Sequence, residues 1–305
     1  MKSFIKQLVK RALNNTGSDI VPMRKCYKYT FLGLCYSPIS SFSNWMKRDG
    51  WRNLPSWIRD PIIFIVKKCT RNYIIDKELL RYLMEFYNYD QGYSNVPLSY
   101  KDGIKMLKIA FRPVNDLWRL LNPSTDKEVE RFYKIVPWYI FAIADTHMLR
   151  SYRRFKKRII NECKGDILDY GGGIGDLSAK LAEKGYNVTY LDVQGKTMEF
   201  AKWYFKKKGL NIKTIVSKDN IEIPGYYDII ICIEVIEHLV NPKNTLLMIV
   251  NHLKKGGKLI ITQLDCEGST ERNPMHFRID FNAEQFLNSL GVYKSEYYPW
   301  LCMKK

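Results

Sequence analysis

Two groups of residues in the C-terminal half have types and spacing suited to chemistry. The first is Asp169-Tyr170-Gly171-Gly172-Gly173-Ile174-Gly175-Asp176. Glycines at alternate positions 171, 173 and 175 let the backbone approach a ligand closely where a strand hands over to a helix N-terminus. Asp169, just ahead of the loop, is placed to face an ammonium group. Asp192 follows 23 residues later at the end of a second strand, where a carboxylate accepts both hydroxyls of a ribose. A dinucleotide fingerprint starting at Gly171 would need glycine at 176, and Asp176 stands there instead.

The second group is Glu234, Glu237 and His238, at i, i+3 and i+4 just past the fourth strand, joined by His276 in Asn273-Pro274-Met275-His276-Phe277. A helical turn would set the first three on one face. Two chemistries are open to them. Two carboxylates and two imidazoles can hold a divalent ion that lowers the pKa of an acceptor hydroxyl. Alternatively His238 or His276 is a metal-free base, with the glutamates orienting the loop. Glu234 is a catalytic candidate beside the two histidines in either case.

These residues need a scaffold, and the pattern around them supplies one. Strands are expected at Asp166–Tyr170, Asn187–Asp192, Lys213–Val216, Tyr227–Ile233, Lys258–Gln263 and Val292–Tyr297, with helices between them at Asp176–Lys184, Lys196–Lys208, Asn241–Leu253 and Ala283–Leu290. Alternating strands and helices make a doubly wound, Rossmann-like α/β sheet. Upstream the chain reads as mainly helical, with helices at 73–89, 101–121, 126–135 and Trp138–Glu162 and a Thr125-x-x-Glu128 capping box. Pro113 is expected to kink or end a helix. Residues 2–13 read as an amphipathic helix, and a stretch from Trp45 to Lys68 interleaves tryptophans with cations. Two domains follow: a basic, helical accessory or substrate domain over 1–160 and a cofactor-binding domain over 161–305.

Charge separates the same two regions. Of the net +18, residues 1–160 hold 30 Lys/Arg against 13 Asp/Glu, and residues 161–305 hold 19 against 18. A Lys-rich solvated surface would explain the abundance of lysine but not this asymmetry, which calls for an anionic partner such as a membrane surface, RNA or a phosphorylated substrate. Seven cysteines with no C-x-x-C pair argue against a disulfide framework and a structural zinc site, and fit a reducing cytoplasm. The apolar runs Pro61–Val66 and Ile135–Ala144 fall short of the ~20 residues of a membrane span.

Residues 165–298 resemble the class I S-adenosylmethionine-dependent methyltransferase domain. The resemblance is carried by Ile167–Gly175, by Tyr190-Leu191-Asp192-Val193, by Tyr227–Leu239 at the fourth strand, and by Leu253–Leu259 at the turn before the fifth, in that order. It implies that S-adenosylmethionine is the cofactor, with Asp169 and Gly171, Gly173 and Gly175 at its methionine moiety. Asp192, with Val193 beside it, would take the ribose, Asp219 would reach the adenine, and Ile233 would lie near the cofactor. The family closes its sheet with an antiparallel sixth and seventh strand, so the seventh must be very short here. The Glu-x-x-Glu-His plus His set is similar to that of small-RNA 2′-O-methyltransferases, with related segments in ubiquinone-pathway O-methyltransferases. The aromatic-acidic-tryptophan segment that follows the histidine in the RNA enzymes is replaced by Phe277-Arg278-Ile279-Asp280.

The leading expectation is therefore a cytoplasmic O-methyltransferase acting on a small, lipid-linked or glycan acceptor, its basic half held peripherally at the acidic inner membrane face. The alternative is an RNA methyltransferase of the 2′-O type, with or without a metal ion, gripping phosphates through the basic half. A catalytically silent binding protein is disfavoured by the intact glycine loop.

Overall fold

A computed structural model describes residues 74–90, 97–217, 223–271 and 273–305. The expected helix at 2–13, the tryptophan-rich basic stretch at 45–68 and Asp219 lie outside the described residues. What is described belongs to one unit running from Asn72 to Lys305.

Six helices come first: α1 Lys77–Asp90, α2 Tyr100–Ile109, α3 Phe111–Leu121, α4 Asp126–Ile135, α5 Tyr139–His147 and α6 Arg150–Glu162. Capping boxes open two of them. Ser99 and Asp102 reciprocate at α2, and Thr125 and Glu128 at α4, satisfying backbone N–H groups that have no partner within the helix. The run expected at 101–121 is two helices meeting at Ala110, with Pro113 inside the first turn of α3. There proline costs no helical hydrogen bond, so it starts a helix rather than kinking one. The long helix expected over Trp138–Glu162 is also two, because Leu149 is extended (φ −70°, ψ 137°) and caps a fresh start at Arg150.

The sheet contains β1 Asp166–Tyr170, β2 Asn187–Val193, β3 Lys213–Ser217, β4 Tyr227–Cys232, β5 Leu253–Ile261, β6 Val292–Lys294 and β7 Leu301–Lys304, in the order β3-β2-β1-β4-β5-β7-β6. β1 to β5 are parallel, and β7 is antiparallel to both β5 and β6. The seventh strand is four residues long, as the sequence requires. Crossover helices are α7 Asp176–Ala182, α8 Lys196–Lys207, α9 Pro242–Asn251 and α10 Ala283–Ser289. Alternate strand residues serve opposite faces. Ile167, Ile229, Ile231 and Ile260 pack with Ile159 of α6 and Leu177 and Leu181 of α7, while Leu168, Ile230, Cys232 and Leu259 pack with α9 and α10.

The helical layer is sealed to the sheet domain through α8. Phe86 of α1 meets Phe200 edge-on at 5.4 Å, Tyr82 meets Tyr204 at 5.0 Å, and Lys196 pairs with Asp90 at 2.8 Å. This packing lays α3 to α5 across the carboxyl ends of β1, β2 and β4, where a doubly wound sheet binds its ligands.

Candidate active site

The glycine loop is built around Asp192. The Gly173 N–H donates to Asp192 Oδ2 at 2.6 Å, the Val193 N–H donates to Oδ1 at 2.7 Å, and the Tyr190 hydroxyl donates to the Gly173 carbonyl at 2.6 Å. The carboxylate is thus fixed by the loop it faces: Oδ2 also lies 3.3 Å from the Tyr190 hydroxyl, and Oδ1, with one donor, keeps a lone pair for a ligand hydroxyl. Burial pushes its carboxyl up to about 7. Asp169 accepts from the Ser178 hydroxyl at 2.5 Å, and burial pushes it up to about 6. Two of the glycines are required by space as well as backbone. A Cβ on Gly171 would stand 2.4 Å from Val235, and one on Gly175 would stand 2.6 Å from the Phe205 ring, both at positive φ. A close-packed glycine turn flanked by two buried carboxyls fits the ribose and methionine moieties of S-adenosylmethionine.

The loop forms one wall of a cleft of about 350 Å³, which Val193 and Ile233 also line. The opposite wall comes from the helical layer: Phe111, Asn115, Tyr133, Tyr139, Ile143, His147 and Tyr152. Tyr133 and Tyr139 pack at 5.3 Å, and burial together with the nearby Asp192 charge raises both phenols. His147 reaches Asp176 Oδ1 through Nδ1 at 2.8 Å, and Lys156 pairs with Oδ2. Burial alone would raise the Asp176 carboxyl, but these two partners outweigh it and hold it well below the usual range. Sequence reasoning missed this wall, because aromatic residues at helical spacing read as ordinary core. The available signal was Asp176 itself, an acid where a dinucleotide loop would carry glycine. Lys156 of α6 is turned inward to that acid.

The turn after β4 divides the acidic and imidazole set. Glu234 sits at φ 53°, and the helical turn that follows, Ile236–His238, begins only after it. The helical face expected to align Glu234 with Glu237 therefore does not form. Glu234 is exposed, accepts from the Thr262 hydroxyl at 3.1 Å and from Gln263 Nε2 at 3.1 and 3.2 Å, and lines the cleft. Glu237 does not line the cleft; it is fully buried behind it, and neither of its oxygens has a hydrogen-bond partner among the described residues. Burial, reinforced by the Glu234 charge, pushes its carboxyl up to about 8.

Glu237, His238 and His276 do converge, with one ligand atom of each within 4.8 Å of the others; Glu234 stands outside this group. The His238 ring lies 3.0 Å through Nδ1 from the Met275 carbonyl, which can only accept, so Nδ1 carries the proton and Nε2 is free. Burial, with His276 beside it at 5.0 Å between centroids, brings His238 down to about 4; burial lowers His276 as well. Two neutral imidazoles beside a buried carboxyl without a partner fit a divalent ion.

Comparison with known proteins bears on this geometry. A methyltransferase-domain family model matches residues 144–291. The ubiquinone biosynthesis O-methyltransferase of Rickettsia prowazekii is 35% identical over 149 residues, which cover 46% of this chain and 59% of the relative. That of Rickettsia conorii is 36% identical over 121 residues, covering 39% and 42%. The chain spans about half the length of the curated relatives it matches. A solved S-adenosylmethionine-dependent methyltransferase from Clostridium acetobutylicum overlaps 41% of this chain and 56% of its own at 25% identity, with a TM-score of 0.37.

Proposed function

We propose that this protein, which matches a methyltransferase-domain model over residues 144–291, is an S-adenosylmethionine-dependent enzyme that methylates an oxygen of a small, lipid-linked or glycan acceptor at the cytoplasmic face of a membrane. The observation that carries the reading is the cluster of Glu237, His238 and His276, whose two imidazoles line the cleft with the buried carboxyl behind them. A sulfonium cofactor supplies an already activated methyl group, so the protein must align the acceptor and lower the cost of deprotonating it. A neutral amine is already nucleophilic, whereas a hydroxyl must give up its proton to attack.

Glu237 and the free Nε2 of His238, with His276, would hold a divalent ion, whose charge stabilises an acceptor oxygenate. This is favoured over a metal-free base, because an imidazole whose conjugate acid titrates near 4 is a weak proton acceptor for a hydroxyl. The helical wall of tyrosines excludes water from the transfer. The names of the Rickettsia relatives support a small hydroxylated acceptor. The membrane surface is supported by α6, whose Arg150, Arg154, Lys157 and Arg158 are exposed. No helix among the described residues is long and apolar enough to cross a membrane.

The test supplies tritiated S-adenosylmethionine with phenols, prenylated phenols, sugars and total RNA, with and without chelator, and identifies the product by mass spectrometry. Methyl ethers formed on the phenolic or sugar acceptors, lost with chelator, are expected. Label confined to RNA ribose would replace this reading with the RNA methyltransferase one. Full activity in chelator would remove the ion and leave His276 as the base.

A further inference from the structure

The helical wall carries a group that neither the glycine loop nor the Glu237–His238–His276 cluster uses. His147 closes α5 with only 11% of its side chain exposed, and it lines the cleft beside Asp169 and Asp176. Its Nδ1 lies 2.8 Å from Asp176 Oδ1, and because a carboxylate only accepts, Nδ1 carries a proton. Lys156 holds the other Asp176 oxygen. The ring also lies flat on Tyr152, at 4.1 Å and 10° between planes. A hydrogen bond at one edge and a stack on one face fix both the tilt and the rotation of the imidazole, leaving Nε2 as the nitrogen that can serve the cleft.

Charge decides what Nε2 can serve. Asp169 and Asp176 are both buried at this end of the cleft, at 4% and 7% exposure. A methionine moiety lying there brings an ammonium for Asp169 and also a carboxylate, for which nothing else on the loop is charged to match. Three carboxylates would then face two cations, Lys156 and the ammonium. Buried charge is tolerated when paired, and one further cation closes the balance.

The geometry points to His147 as the binding residue for the α-carboxylate of the cofactor, with Asp176 accepting from Nδ1–H and the imidazolium donating Nε2–H to the carboxylate. This assignment rests on the reading that places the methionine moiety at Asp169. It gives the accessory helices a cofactor contact of their own, and it explains why an acid occupies position 176: Asp176 orients the donor rather than touching the ligand.

The assignment is tested by calorimetry on the full chain with two ligands, S-adenosylhomocysteine and the same molecule with hydrogen in place of its α-carboxyl. The wild-type protein should prefer the carboxylated ligand by roughly tenfold or more, the worth of one hydrogen bond between charged groups. His147→Phe keeps the stack on Tyr152 and removes both ring nitrogens. It should bind the two ligands within about twofold of each other, with its affinity for the decarboxylated one near the wild-type value, since only the missing hydrogen bond separates them. If a thermal scan shows that the Phe variant has lost its fold, His147→Gln, which removes the charge, reads out the same difference. Equal binding of both ligands by the wild type, or an equal loss for both in the variant, overturns the assignment and makes His147 a structural tie between α5 and α7. Failure of the wild type to bind either ligand would overturn the cofactor reading beneath it, and this inference with it.

Discussion

Asp192 shows how one side chain can organise a loop and await a ligand together. Its two oxygens already accept from Gly173 and Val193, yet burial raises its carboxyl to about 7, so ribose hydroxyls arriving there would stabilise the ionised form. Asp192→Ala should weaken S-adenosylhomocysteine by about 1–3 kcal/mol, roughly 5- to 150-fold, in a calorimetric titration; unchanged affinity would remove the ribose assignment. Such residues were legible because a strand end, an acid and a glycine loop are consecutive in sequence and the fold rule that joins them is local. Glu234 was not. An i, i+3, i+4 spacing aligns side chains only on a helix, and the backbone at Glu234 is left-handed, tied by its N–H to the Thr262 hydroxyl just past the neighbouring strand. Which of two glutamates faces the cleft and which is buried was decided by that tertiary contact.

At the level of elements, the loop-to-helix junction is the tightest part of the site. Gly175 caps α7 at φ 69°, and a Cβ there would meet both the Phe205 ring and Ala201 of α8 under 3 Å. Gly175→Ala should cost on the order of 2 kcal/mol or more, since a left-handed backbone and an overfilled interface both oppose it. The expected readout is a Tm lower by about 5 °C or more in a chain of this size, together with weakened cofactor binding. A variant as stable as the wild type would mean that α8 yields, and that the glycine is there for the ligand alone. Most element boundaries were readable to within a residue or two, because caps and hydrophobic periodicity are local signals. The break at Met148 and Leu149 was not, since neither glycine nor proline marks it. It brings His147 of one helix and Lys156 of the next onto a single carboxylate, a requirement that exists only in three dimensions.

Over the whole molecule, the site makes the ligand-free protein sensitive to alkaline pH. Asp169, Asp192 and Glu237 have folded-state carboxyls raised to about 6, 7 and 8, while an unfolded chain ionises them near 4. Such groups favour the folded state less as pH rises from the unfolded to the folded value, because the unfolded chain releases protons that the native state retains. His238 and His276 act oppositely: their lowered values mean that stability is lost as pH falls below about 6.5. The two tendencies compete in acid, but from pH 6.5 to 8 His238 and His276 are spent and the raised carboxyls set the sign of the site's contribution. Carboxylates held low by partners, Asp176 and Asp228 among them, contribute a constant amount throughout that range. Chelated, ligand-free protein should therefore lose on the order of 1–3 kcal/mol between pH 6.5 and 8, seen as a fall in Tm of roughly 3–8 °C. Saturating S-adenosylhomocysteine and a divalent ion together should flatten the slope, since each gives a buried carboxylate the partners that let it ionise in the folded state. A Tm that holds level or rises over this interval without ligands would mean that these carboxyls are solvated, and that the site is more open than its burial indicates.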